Sequence, residues 1–212
     1  MRTLVILCRH GNTFNKGDKV VMVGAKEDLP LTTHGIEQAR AVGAVLATVS
    51  VVPTRIISGP LLRTKVFAEC VRAQSNAGAT IELDQRLIEF DYGAWSGLSN
   101  DEIVALSGQQ ALEAWQERSE RPCGITFTPS PEDARADATS LMEELSKLRG
   151  SCVVVTSNGR LREFGRLLVR DGASAHKVRT GHSCVVLREG DAWRVVAWDL
   201  SPEALKQELG RL

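Results

Sequence analysis

Three clusters of polar residues in this chain follow directly on apolar runs, and their residue types are those of oxyanion chemistry. Arg9-His10-Gly11 comes after residues 3–8, Ser58-Gly59-Pro60 leads to Arg63 after residues 54–58, and Ser157-Asn158-Gly159 comes after residues 151–156. An imidazole is a nucleophile or proton carrier near neutral pH, a guanidinium is a forked donor for oxyanions, and a glycine lets backbone approach a ligand closely. Together they suit a phosphate dianion, above all where a second arginine stands at a helix N-terminus. Taken singly, each has a plainer reading: a histidine bonding backbone at a strand end, or arginines in surface ion pairs. None of these residues suits a dry core.

The elements that would position them follow from periodicity and punctuation. Residues 3–8 read as a buried strand, and residues 11–30 as a long loop, too polar to pack and too irregular for a helix. From Thr32 on, Ile36, Ala39, Val42, Gly43, Val45, Leu46 and Val49 recur at helical spacing, with Thr32 or Thr33 as N-cap. Residues 54–58 read as a short strand, and Pro60 suits the first turn of a helix reaching about Gln74. Residues 80–83 form a further short strand, and residues 99–121 two helical pieces broken near Gly108. Ser130-Pro131-Glu132-Asp133 combines an N-cap, a proline in the first turn and two acids, opening a helix that runs to about Leu148. Strand 151–156, helix 158–171 and a hairpin of residues 185–187 and 193–198 complete the chain. Strands alternating with helices predict a largely parallel sheet covered on both faces. Ligands of such sheets bind at the carboxyl ends of the strands, where all three polar clusters fall.

Bulk properties exclude several alternatives. The chain has 212 residues, enough for one compact domain, and 26 Lys+Arg balance 26 Asp+Glu. No net field steers it to nucleic acid or to an acidic membrane, so any anion site is local. Five cysteines (Cys8, Cys70, Cys123, Cys152, Cys184) are an odd, scattered set, read as reduced thiols and therefore as a mark of a cytoplasmic protein. The N-terminal apolar run is too short for a signal peptide, and no stretch reaches the roughly 18 to 20 apolar residues of a membrane span. Lys16, Lys19 and Lys26 in the long loop are offset by Asp18, Glu27 and Asp28, and Val23-Gly24-Ala25-Lys26 lacks the residues of a nucleotide P-loop. His34 and His176 read as surface histidines, and Trp95 and Trp115 as core or pocket walls.

Arg9-His10-Gly11-Asn12-Thr13, then Leu29-Pro30-Leu31-Thr32 with Gly35 and Gln38-Ala39, resembles the phosphoglycerate mutase-like histidine phosphatase superfamily. Residues 58–64, Ser-Gly-Pro-Leu-Leu-Arg-Thr, resemble its second-arginine segment, and residues 86–97, which hold Glu89-Phe90-Asp91-Tyr92-Gly93, its acid-bearing segment. The four segments come in the family's order over nearly the whole chain. The resemblance implies a single domain, residues 1–212, folded as a three-layer α/β/α sandwich, with residues 99–130 as a cap insertion. It implies that His10 is a nucleophile forming a phosphohistidine, that Arg9 and Arg63 clamp the phosphoryl oxygens, and that Glu89 is the proton donor. It implies a small phosphorylated substrate and neither metal nor other cofactor. Asn12 and Thr13 are expected to contact phosphate or to cap the turn after Gly11.

At one position the sequence departs from that pattern. The family's second histidine, immediately before a glycine, is here Asn158. An amide still donates a hydrogen bond to a phosphoryl oxygen but carries no charge. Losing a charge-assisted contact of about 1.5–3 kcal/mol slows chemistry by roughly ten- to a hundredfold if nothing replaces it. His182 is one candidate replacement, and Arg160 or Arg162 another, although a basic residue there is as readily solvent-facing. Hydrolysis of a phosphomonoester is the leading expectation; a phosphoglycerate mutase-type transfer, or a catalytically weakened phosphate-binding module, are the alternatives.

Overall fold

The computed structural model describes residues 2–169 and 177–212 and contains a six-stranded mixed sheet with helices on both faces. The sheet is built from β1 (Arg2–Arg9), β2 (Arg55–Ser58), β3 (Ile81–Leu83), β4 (Gly150–Thr156), β5 (Ser183–Glu189) and β6 (Ala192–Leu200), in the order β3-β2-β4-β1-β5-β6. The pairs β3-β2, β2-β4 and β4-β1 are parallel, whereas β1-β5 and β5-β6 are antiparallel. The sheet is mostly parallel, as expected, with antiparallel pairings on either side of β5. The tight turn between β5 and β6 reverses the chain without a crossover helix, so these two strands pair antiparallel, and β5 alone runs against the direction of the other five.

Alternation along β1 divides the core. Ile6 and Cys8 point into a cluster with α1 (Thr33–Thr48), α2 (Leu62–Gln74) and α7 (Pro202–Leu209), through residues such as Leu46, Phe67, Val71 and Leu205. Val5 and Leu7 point to the other face, against α5 (Pro131–Leu145) and α6 (Asn158–Leu168), through Leu141, Leu145, Leu161 and Phe164. These are the three layers the sequence predicts, held by side chains fully removed from water, each contributing roughly 1.5–3 kcal/mol.

The helices start where the caps stand. Thr32 accepts a hydrogen bond from Gly35 N at 3.1 Å, and Ser130 from Asp133 N at 3.1 Å. The α2 helix begins two residues beyond Pro60 rather than at it. Its end at Gln74 matches the expectation, and Thr64 Oγ1 bonds back to the carbonyls of Gly59 and Leu61. The two helical pieces around Gly108 are α3 (Asn100–Ser107), opened by a Ser99–Glu102 capping box, and α4 (Gln109–Arg118), closed by Ser119 in a left-handed conformation. They enclose a third cluster, in which Phe127 meets Tyr92, Trp95 and Trp115 edge-on at 5.0, 5.6 and 5.1 Å between ring centres. Trp95 is wholly buried there. The predicted end of the 158–171 helix and His176 fall partly or wholly outside the described residues. Helix α7 escaped the sequence reading, although Ser201-Pro202-Glu203 repeats the start signal of α5, and Ser201 caps it through Ala204 N at 3.3 Å. No helix among the described residues is long and apolar enough to cross a membrane.

Candidate active site

Strand register places the chemical residues. In the parallel ladders Arg9 lies beside Thr156 and Ser58 beside Val155, so β1, β2 and β4 end at one edge of the sheet. Strand β5 is antiparallel to β1 and pairs Ser183 with Cys8, so the turn preceding it comes to the same edge. His10, Arg63, Asn158 and Thr180 thus line a single cavity of about 730 Å³, together with Arg9, Asn12, Thr13, Glu89 and Arg162. Six of the eight residues singled out from sequence are hydrogen-bonded into place or buried at this point, and a seventh, Thr13, lines it.

His10 is buried, and its Nδ1 lies 2.8 Å from the Gly11 carbonyl. Donation from Nδ1–H to that carbonyl leaves Nε2 with its lone pair. Loss of hydration, then the charges of Arg9 and Arg63, hold the imidazole's pKa well below 6.5, so the ring is neutral and nucleophilic at pH 7. The turn that carries it is tight. A Cβ on Gly11 would stand 2.3 Å from the Gly35 carbonyl oxygen, so no other residue allows β1 to run this close to the start of α1.

Both guanidiniums are aimed by backbone. Arg9 Nη1 donates to Val178 O at 2.7 Å, while Arg63 Nη1 and Nη2 donate to Glu27 O at 2.8 Å and Gly24 O at 3.0 Å. The Nε–H of each is buried without a partner among the described residues, leaving donor capacity that an oxyanion would satisfy. Burial lowers both pKa values, with the charge of Glu89 opposing, yet arginine remains a cation.

Glu89 is 4 % exposed, with Oε1 accepting from its neighbour Phe90 N at 2.8 Å and Oε2 from Gly159 N at 3.0 Å. Tyr92 shares a hydrogen bond with it; burial and then that carboxylate push the phenol's pKa well above 10, which keeps it protonated as a donor. Gly159 is the residue that sequence reasoning undervalued. A Cβ there would stand 2.3 Å from Glu89 Oε1 and 2.9 Å from the Tyr92 hydroxyl, so the carboxylate needs this glycine in order to sit at the N-terminus of α6.

Asn158 turns its carboxamide oxygen to Val178 N at 2.9 Å, which presents the NH₂ as the group able to donate toward a ligand. The structure does not bring the His182 side chain to the cavity. Its Nδ1 lies 3.1 Å from Asp199 Oδ1 and 3.0 Å from Asp199 O. Arg160 and Arg162 are both buried, not solvent-facing. Arg160 is engaged with Ile88 O at 2.6 Å and Asp137 at 3.2 Å, whereas Arg162, one turn after Asn158, lines the cavity. Arg162 donates to Trp115 O at 2.9 Å, to Gln116 O at 3.1 Å and to Ser119 Oγ, and its charge lies 4.9 Å over the Trp115 ring. Burial lowers its pKa to about 10, so it too stays charged.

The turn that carries His182 does reach the cavity, as the end of a strap of residues 177–182 whose backbone contacts the sequence does not show. Its Val178 holds Arg9 through the carbonyl and Asn158 through the N–H, Gly181 N donates to His10 O at 3.0 Å, and Thr180 donates to Asn12 Oδ1. Asp199, in a left-handed conformation with φ 58°, fastens the strap from outside, accepting from Arg179 N at 2.7 Å and Arg179 Nε at 2.8 Å.

The histidine phosphatase superfamily (branch 1) model matches residues 5–201. A 2,3-bisphosphoglycerate-dependent phosphoglycerate mutase from Rhizobium etli is 28 % identical over 167 residues, 75 % of this chain and 76 % of that protein. A second, from Azorhizobium caulinodans, is 29 % identical over 192 residues, 85 % of this chain and 90 % of that protein. Among solved structures, a mycobacterial glucosyl-3-phosphoglycerate phosphatase superposes with a TM-score of 0.75 at 23 % identity, covering 93 % of this chain and 99 % of that one. An alpha-ribazole phosphatase from Shigella flexneri gives a TM-score of 0.71 at 18 % identity, covering 95 % and 97 %. At these identities the structural likeness speaks for the fold alone, but the family match spans nearly the whole chain: the protein belongs to the histidine phosphatase superfamily.

Proposed function

We propose that the protein hydrolyses a small phosphomonoester through a phosphohistidine on His10 Nε2, without a metal ion. The observation that carries this reading is the state of His10: a buried, neutral imidazole with Nδ1 committed to Gly11 O and two buried arginines beside it. Nε2 attacks phosphorus, the P–O ester bond breaks, and the departing alkoxide takes a proton from Glu89, which has received it from the monoanionic phosphoryl group of the bound substrate. Water then attacks the phosphohistidine, Glu89 takes its proton, and inorganic phosphate leaves with His10 restored. Arg9 and Arg63 hold the phosphoryl oxygens throughout, with Asn158 as a neutral donor. Arg162 supplies the positive charge that the asparagine does not; of the three candidates for that task it is the one whose residue lines the cavity. Residues 99–130 serve as the cap, since Trp115 and Gln116 close one side of the cavity.

The purified, metal-free protein is expected to release phosphate from a generic aryl phosphate, and His10→Ala to release none. Brief incubation with labelled substrate should leave an acid-labile, base-stable label on the wild type. Equal turnover in the mutant would sink the reading. A mutase reading is favoured by the names of the curated relatives. It requires that added 3-phosphoglycerate be converted to its 2-isomer faster than phosphate is released. A phosphate-binding module would form no phosphohistidine at all.

A further inference from the structure

Ordered by burial, the lining of the cavity changes character with depth. Arg9, His10, Arg63, Glu89 and Arg162 form the floor, and all but Arg9, which is half-buried, are fully buried. At the mouth stand Asn15, Lys16, His34 and Lys177, all exposed. Between them the polar side chains are largely spent on one another. Thr180 donates to Asn12 Oδ1, Thr32 Oγ1 donates to Asn12 O at 3.2 Å and accepts from Gly35 N, and the Asn158 oxygen is held by Val178 N. What remains at that depth to meet a leaving group is mostly apolar: Phe14, Val21, Met22 and Val23, beside the half-buried Thr13 and Gln116, with Val20 continuing outward at 62 % exposure. A lone exposed valine means little, but four consecutive apolar residues opening onto a phosphoryl site form a surface with a use. The wall is fixed before any ligand arrives. Met22 N donates to Leu98 O and Gly97 N to Met22 O, both at 2.8 Å, and Lys19 pairs with Glu102 at 2.8 Å. Met22 also packs on the cluster that contains Tyr92 and Trp115, which line the cavity too.

We infer that this wall is a leaving-group subsite, and that the substrate is a phosphomonoester whose alcohol is an apolar alkyl or aryl body rather than a polyhydroxylated or second anionic group. The inference rests on the phosphoryl site proposed above. Non-hydrolysable phosphonates separate the two, because they report binding without turnover.

Calorimetric titration with straight-chain alkyl phosphonates from methyl to hexyl should show affinity rising about twofold per added methylene, as expected for a CH₂ half removed from water. That amounts to roughly thirtyfold over the series. A polyhydroxylated phosphonate of hexyl length should lose most of the gain, and Val21→Asp should flatten the slope while methyl phosphonate still binds. A flat series in the wild type would overturn the subsite and leave the phosphatase reading standing. So would tighter binding of the polyhydroxylated ligand, or of a carboxylate-tipped ligand that reaches Lys16 and Lys177. A rising series on a protein without turnover would keep the subsite and remove the phosphatase. Binding of no member, methyl phosphonate included, would overturn both.

Discussion

His10 and Asn158 stand at the ends of hydrogen-bonded parallel strands, whereas Phe14 and residues 20–23 stand on a loop that borrows its shape from other parts of the chain. The floor is held by ladder register: moving Arg9 relative to Thr156 would require β1 to slip against β4, turning Val5 and Leu7 out of one core cluster and into the other. The loop is held by side-chain ties, among them Arg63 to the carbonyls of Gly24 and Glu27, Asp28 to Leu62 N, Glu27 to Gly24 N, Lys19 to Glu102 and Lys26 to Asp91. Those of Arg63 and Asp28 reach α2, at Arg63 itself and at its neighbour Leu62. The difference teaches that His10 and Asn158 take their places from strand register, whereas Arg63, aimed by the carbonyls of Gly24 and Glu27, depends on the loop that it also shapes; in the proposed reaction it would serve both the phosphoryl group and the wall.

Replacing Arg63 breaks the comparison most severely. Arg63→Ala should lower kcat/KM by about 10²–10³-fold through the lost oxyanion donor, and should unfasten residues 24–27, leaving two carbonyls without their donors. Arg63→Lys restores charge but cannot fork to both carbonyls, so its loss should fall little short of the alanine's. Steady-state kinetics with limited proteolysis of the 11–30 loop reads both effects, and a fully active Arg63→Ala would remove this residue from the site.

Gly159→Ala tests the floor without touching any charge. The new methyl meets Glu89 Oε1 at 2.3 Å and forces the carboxylate from its place, which should cost at least about a hundredfold in kcat, with a smaller change in binding of inorganic phosphate. The loss should be smaller for aryl phosphates with acidic phenols, which need no proton donor. An equal loss for all leaving groups would mean that Glu89 is not the proton donor.

Arg162 joins the floor to α4, since its guanidinium caps the C-terminal carbonyls of that helix while its stem belongs to α6. Arg162→Met keeps the stem and its contact with Trp115 but loses charge, so kcat should fall by roughly tenfold, the value of one charge-assisted term. Asn158→His should recover most of that loss in the double variant if the missing charge is what Arg162 supplies. No recovery would confine Arg162 to holding the cap.

Much of this was legible in the residues. Arg9, His10, Arg63 and Asn158 lie just after apolar runs, and a strand end announces itself by that change. Gly108 split the helical pieces as expected, because a glycine at φ 83° cannot continue a helix. The hairpin of β5 and β6 was legible from its two apolar runs, but the direction of β5 against β1 was not, since periodicity along a strand says nothing of its neighbour's direction. The part Val178 plays in the strap was illegible because it is made by backbone: its N–H and carbonyl do not depend on valine. Asp199 left no signal either, being one acid at the end of an apolar strand, and only three-dimensional contact shows that it fastens the strap. Asp199→Asn retains an acceptor for Arg179 N and tolerates positive φ, so it should reduce kcat only a fewfold, whereas Asp199→Ala should reduce it by about tenfold.

The smallest expected effect concerns stability and separates His10 from the rest of the floor. Its folded-state pKa lies well below 6.5 because the charged ring would be desolvated beside Arg9 and Arg63. Between that depressed value and 6.5 the unfolded chain binds a proton that the folded chain refuses, so unfolding gains as pH falls; above 6.5 neither state is protonated and the contribution vanishes. The wild type should therefore lose up to about 1.4 kcal/mol per pH unit below 6.5 relative to His10→Gln, which has no proton to bind. Urea midpoints of the two proteins at several pH values between about 5 and 7.5 read the difference. A difference that does not change with pH would mean that His10 titrates normally when folded, and the neutral nucleophile on which the proposed reaction depends would lose its physical basis.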